Sequence, residues 1–61
     1  SFRDIINQVR AEMAMDLIRR DDLSTDEIAA RVGFEELSSF YRFFKNITGK
    51  GVKEIRESLS E

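Results

Sequence analysis

The chain has 61 residues, 36% of them charged, with a net charge of −2 and no proline, cysteine or histidine. Without cysteine there are no disulfides or thiolate metal sites, and without histidine the commonest neutral base and metal ligand is missing, so neither an enzyme nor a metal or cofactor site is expected. No apolar run approaches the ~20 residues needed to cross a bilayer, and Ser1-Phe2-Arg3-Asp4 is not the start of a signal peptide, which leads us to expect no membrane partner and a cytoplasmic setting.

The elements are taken in chain order. A first helix is predicted over residues 1–20, where Phe2, Ile5, Ile6, Val9, Met13, Ala14, Leu17 and Ile18 recur every three or four positions and read as one broad apolar stripe. Arg19 and Arg20 suit the negative end of its dipole. A second helix starts at Ser24-Thr25-Asp26-Glu27, a capping-box pattern, with Leu23 and Ile28 placed for a hydrophobic staple. Gly33, nine residues later, is read as its left-handed terminator, with Phe34 folding back towards Ile28 and Ala29. A third helix is predicted over 36–48, with Leu37, Phe40, Phe44 and Ile47 at spacings of three, four and three and Gly49 as its cap. Phe34, Phe40, Phe44 and Ile47 are the expected core. A weaker fourth helix over 52–59 offers Val52, Ile55 and Leu59.

Charge is unevenly spread along this pattern. Residues 21–36 carry one base and six acids, whereas residues 37–53 hold Arg42, Lys45, Lys50 and Lys53 and no acid. A purely basic stretch inside an acidic chain marks a candidate polyanion contact. The turn Val32-Gly33-Phe34 is short enough to force a steep crossing of the flanking helices, as in a helix-turn-helix. The outer face of the third helix then presents Ser38, Ser39, Arg42, Lys45 and Asn46. Arginine can pair with guanine in two places, and serine can meet almost any base edge. Lysines gain affinity at phosphates by counterion release.

The stretch Arg10-Ala11-Glu12-Met13-Ala14-Met15-Asp16-Leu17-Ile18 resembles the RxxxAxxLL segment of the AraC/XylS family of transcription regulators. Leu23-Ser24, Glu27-Ile28-Ala29, Val32-Gly33-Phe34, the run Ser39-Phe40-Tyr41-Arg42-Phe43-Phe44-Lys45, Thr48-Gly49 and Glu54-Ile55-Arg56 follow in that family's order and spacing. The resemblance implies an all-α fold of about four helices containing a helix-turn-helix with a homeodomain-like three-helix core. It covers a linker-type helix (1–20), the second helix-turn-helix (24–48) and the closing helix (52–59) of a two-unit reader. Val52 stands where the closing segment usually has proline.

Carried over position by position, the resemblance implies base contact by Leu37, Ser38, Ser39 and Arg42. It places Ser24 and Thr25 near the phosphate backbone and gives Arg10 a bracing role, and the acid-free stretch adds Lys45 and Lys50 as further phosphate contacts. The resemblance also implies double-stranded DNA as partner and an upstream first helix-turn-helix with an effector or dimerisation domain, while the acidic run from Asp21 to Glu36 reads as a solvated face or as a surface for another domain or RNA polymerase. The competing reading is a helical protein-interaction or self-association module that keeps the fold without tight DNA binding, favoured by the acidic balance, by the low polarity of Leu37 and Tyr41, and by the long first helix.

Overall fold

The computed structural model describes residues 1–60. It contains four α-helices: α1 (Phe2–Arg20), α2 (Thr25–Arg31), α3 (Leu37–Thr48) and α4 (Val52–Leu59). No strand is present among the described residues. α1 packs against each of the other three helices, and α3 packs against both α2 and α4.

The helix ends follow local chemistry. Ser1 caps α1, accepting the Asp4 amide on its hydroxyl. Ser24 caps α2 reciprocally: its hydroxyl accepts the Glu27 amide at 3.2 Å while its own amide donates to Glu27 Oε1 at 3.3 Å. Helix α2 ends at Val32, and Gly33 then takes φ +98°, a backbone setting that side-chain-bearing residues rarely adopt. Phe34 donates its amide to the Ala29 carbonyl at 2.9 Å, closing that turn. α3 begins one residue later than the sequence suggests, with Glu36 as a cap whose side chain makes no capping hydrogen bond. Gly49 (φ +80°) ends α3, and Gly51 precedes α4, donating its amide to Glu54 Oε1 at 3.3 Å.

One core joins the four helices: Ala14 and Ile18 of α1, Ile28, Ala29 and Val32 of α2 and its cap, Phe40 and Phe44 of α3, and Val52 and Ile55 of α4. Phe40 and Phe44 are fully buried, with ring centroids 5.8 Å apart. Val52 is 3% exposed and serves as an apolar plug where α4 meets the core.

Two expectations about the core fail. Ile47 is exposed, because the last turn of α3 runs past the core; it lines only a shallow groove with Ala11 and Met15. The single stripe on α1 is in fact two. At about 100° per residue, Phe2, Ile5, Ile6, Val9 and Met13 fall on one side of the helix and Ala11, Ala14 and Ile18 on nearly the opposite side. Only the second set is buried, while Phe2 is 78% and Ile5 62% exposed.

Replacing Phe40 or Phe44 with alanine removes a fully buried ring at a cost of about 3–5 kcal/mol, comparable to the whole stability of a domain this small. Circular dichroism melting is expected to show loss of the cooperative transition in either variant. Ile47→Ala is expected to melt close to the parent chain.

Candidate nucleic-acid interface

The polar face of α3 is a direct consequence of its buried face. With Phe40 and Phe44 held inward, Ser38, Arg42 and Lys45 project within about 60° of one another on the far side, with Asn46 and Ser39 beside them. All five are exposed. Leu37 is half-buried and packs against the core, so the structure brings Ser38, Ser39 and Arg42 together and turns Leu37 away from them.

The electrostatics of this face are one-sided. The four ion pairs among the described residues join the N-terminal amine to Asp4, Arg19 to Asp16, Arg20 to Asp22 and Arg56 to Asp21. None involves Arg42, Lys45, Lys50 or Lys53. The basic stretch read from the sequence is thus exposed and uncompensated, as a surface must be to displace counterions from a polyanion. Lys50 sits in the turn between α3 and α4, where its amide donates to the Thr48 hydroxyl at 3.2 Å and that oxygen lies 2.8 Å from the Phe44 carbonyl.

The two hydroxyls at the start of α2 are already engaged. Ser24 is tied into its cap with Glu27, and the Thr25 hydroxyl accepts a hydrogen bond from Arg56 Nη2 at 3.2 Å. Arg56 also reaches the Leu23 carbonyl and Asp21 Oδ1, both at 3.4 Å, and so ties α4 to the segment before α2. The sequence reading left Arg56 within a motif without a task. No local spacing could pair it with residues more than thirty positions away.

Arg10 sets the turn that aims α3. Its Nε donates to the Val32 carbonyl at 3.0 Å. Its guanidinium lies 4.3 Å from the centroid of the Phe34 ring and 5.3 Å from that of Phe43, and the two rings are 4.9 Å apart. One cation therefore binds α1, the turn carbonyl and the flank of α3 together by hydrogen bonding and cation–π attraction. A Cβ on Gly33 would meet Arg10 Nη2 at 3.3 Å, so a side chain there would strain the backbone at φ +98° and also press on the guanidinium.

This arrangement of a capped short helix, a glycine turn and an outward basic helix meets its counterpart in known proteins. The profile of a family described as helix-turn-helix domain matches residues 1–58. The chain belongs to this AraC-type helix-turn-helix family. It is 31% identical over 59 residues to the HTH-type transcriptional regulator VqsM of Pseudomonas aeruginosa, covering 97% of this chain and 18% of that protein. It is 31% identical over 58 residues to the ornithine utilization regulator of the same organism, covering 95% of this chain and 17% of that protein. An HTH-type transcriptional regulator of Mycobacterium tuberculosis is 33% identical over 54 residues, 88% of this chain and 16% of the relative. The chain thus spans less than a fifth of the length of these relatives. No solved structure matches it.

Two variants check the bracing of this AraC-type turn. Gly33→Ala, which forces a side chain into the left-handed region, is expected to cost about 1–3 kcal/mol, and Arg10→Ala, which removes the hydrogen bond and the cation–π contacts, about 1–3 kcal/mol. Urea unfolding followed by circular dichroism reads both losses.

Proposed function

We propose that this chain is the sequence-specific DNA-binding module of a bacterial transcription regulator, with α3 lying in the major groove. It acts by binding in the cytoplasm and carries out no catalysis. The reading rests on one observation: opposite its buried phenylalanines, α3 presents Ser38, Arg42 and Lys45 with no carboxylate in the whole stretch 37–53 and no ion pair to neutralise it. Arg42, at the centre of that face, reads a base edge, with Ser38 and Ser39 beside it. Leu37, at the mouth of the helix, offers at most an apolar contact. Lys45 and Lys50 meet phosphates, and the start of α2 at Ser24 and Thr25 faces the backbone.

The apolar side of α1 calls for a partner. Phe2, Ile5, Ile6, Val9 and Met13 form a continuous uncovered patch, of the kind that marks an interaction surface. The longer relatives and the family resemblance favour an upstream first helix-turn-helix of the same polypeptide as its occupant, with an effector or dimerisation domain and RNA polymerase as further partners. The same patch supports the competing reading of a self-association module. Sizing over a range of concentrations separates the two, since self-association raises the apparent mass with concentration.

Duplexes enriched from a random-sequence pool, titrated at low salt, test DNA binding directly. Arg42→Ala is expected to lose about 1–3 kcal/mol and to relax the preference at one base position. Lys45→Ala is expected to weaken binding evenly across sequences and to reduce the salt slope by about one. Absence of binding by the chain, both alone and joined to a first helix-turn-helix unit, would overturn the reading.

A further inference from the structure

Besides Ile47, α3 carries a second large exposed side chain that neither the core nor the base-reading face uses. Tyr41 is 44% exposed, and its ring stands 6.2 Å from that of Phe40, tilted by 46°. Among the described residues its hydroxyl makes no side-chain hydrogen bond. A tyrosine that only covered the edge of Phe40 would do so through its ring alone. The hydroxyl is the part that packing leaves without a role.

Its place on the helix gives it one. Consecutive residues are turned by about 100°, so with Arg42 aimed at the floor of the groove, Tyr41 and Phe43 point towards opposite walls. A helix with its side chains is about 10–12 Å across and the major groove about 12 Å wide, so groups at the flanks stand against phosphates. Phe43 is unavailable on its side, because its ring is turned in against Phe34 and the Arg10 guanidinium. Tyr41 stands free on the other. Lys45 lies one turn along on the same flank, and no acid occurs between residues 37 and 53. Tyrosine hydroxyls are regular donors to backbone phosphate oxygens.

We infer that Tyr41 is a phosphate anchor: its hydroxyl donates to one backbone phosphate on the wall of the groove and holds that flank of α3 against it. This rests on the placement of α3 in the major groove. Tyr41 thus adds affinity without reading sequence, and it acts together with Lys45 on one strand.

Tyr41→Phe keeps the ring and deletes the donor. In titrations of the chain against a duplex enriched from a random pool, it is expected to bind about tenfold more weakly, the scale of a hydrogen bond to a charged group, with unchanged melting. The same loss is expected on unrelated sequences. Replacing phosphates one at a time with methylphosphonate is expected to reveal a position that weakens the parent chain and leaves Tyr41→Phe unaffected. Equal affinity of the two proteins would overturn the inference, as would a Tyr41→Phe variant that changes which base is preferred. Failure of the parent chain to bind any duplex, both alone and joined to a first helix-turn-helix unit, would overturn this inference together with the DNA-binding reading, which sets that failure apart from the first two.

Discussion

The inward anchoring of Phe40 and Phe44 is the constraint on which the rest depends. α3 has twelve residues, too few to be stable as an isolated helix in water, so it exists because these two rings are buried among Ala14, Ile18, Ile28 and Val52. Fixing them fixes the helix rotation. That rotation decides which residues face out: Ser38, Arg42 and Lys45 do because they stand opposite the rings, and Leu37 is withdrawn because it does not. Stability and recognition are therefore set by alternate positions of one short segment.

Arg10 completes this arrangement from outside the core. The rings orient α3 about its axis, whereas the angle at which α2 hands the chain to α3 is set at Val32-Gly33-Phe34. There a carbonyl and two aromatic faces converge on a single guanidinium. Arginine suits this site because a planar cation can stack and hydrogen-bond at once, which lysine's compact ammonium does less well.

Much of the fold was legible where the cause is local. The Ser24–Glu27 cap, the terminators Gly33 and Gly49 and the Phe40–Phe44 spacing are governed by neighbours within four residues, and the structure agrees with each. What was not legible depended on distance or on phase. Ile47 has the spacing of a core residue, but the core ends before the last turn of α3. The apolar residues of α1 follow one another at helical intervals, and only summing 100° steps shows that Val9 and Ala11 point in nearly opposite directions. At the interface, the outward face of α3 could be inferred from the inward spacing of Phe40 and Phe44, and its lack of compensating charge from the absence of acids in 37–53. The engagement of the Thr25 hydroxyl by Arg56 could not, since the two are joined only by the tertiary fold.

The two-sidedness of α1 makes it something like a splined shaft. One end is keyed to the core through Ala14 and Ile18, and the other offers a key cut on the opposite side, from Phe2 to Met13. Whatever fits that outer key is held at a fixed angle to α3, because a continuous helix transmits rotation stiffly. The number of residues between the two keys is then a geometric constant of the assembly. Adding or removing one between Val9 and Arg10 would leave Ala11, Ala14 and Ile18 seated in the core yet swing Phe2, Ile5, Ile6 and Val9 about 100° around them, out of line with Met13. Evolution could therefore vary the side chains along this helix far more freely than its length.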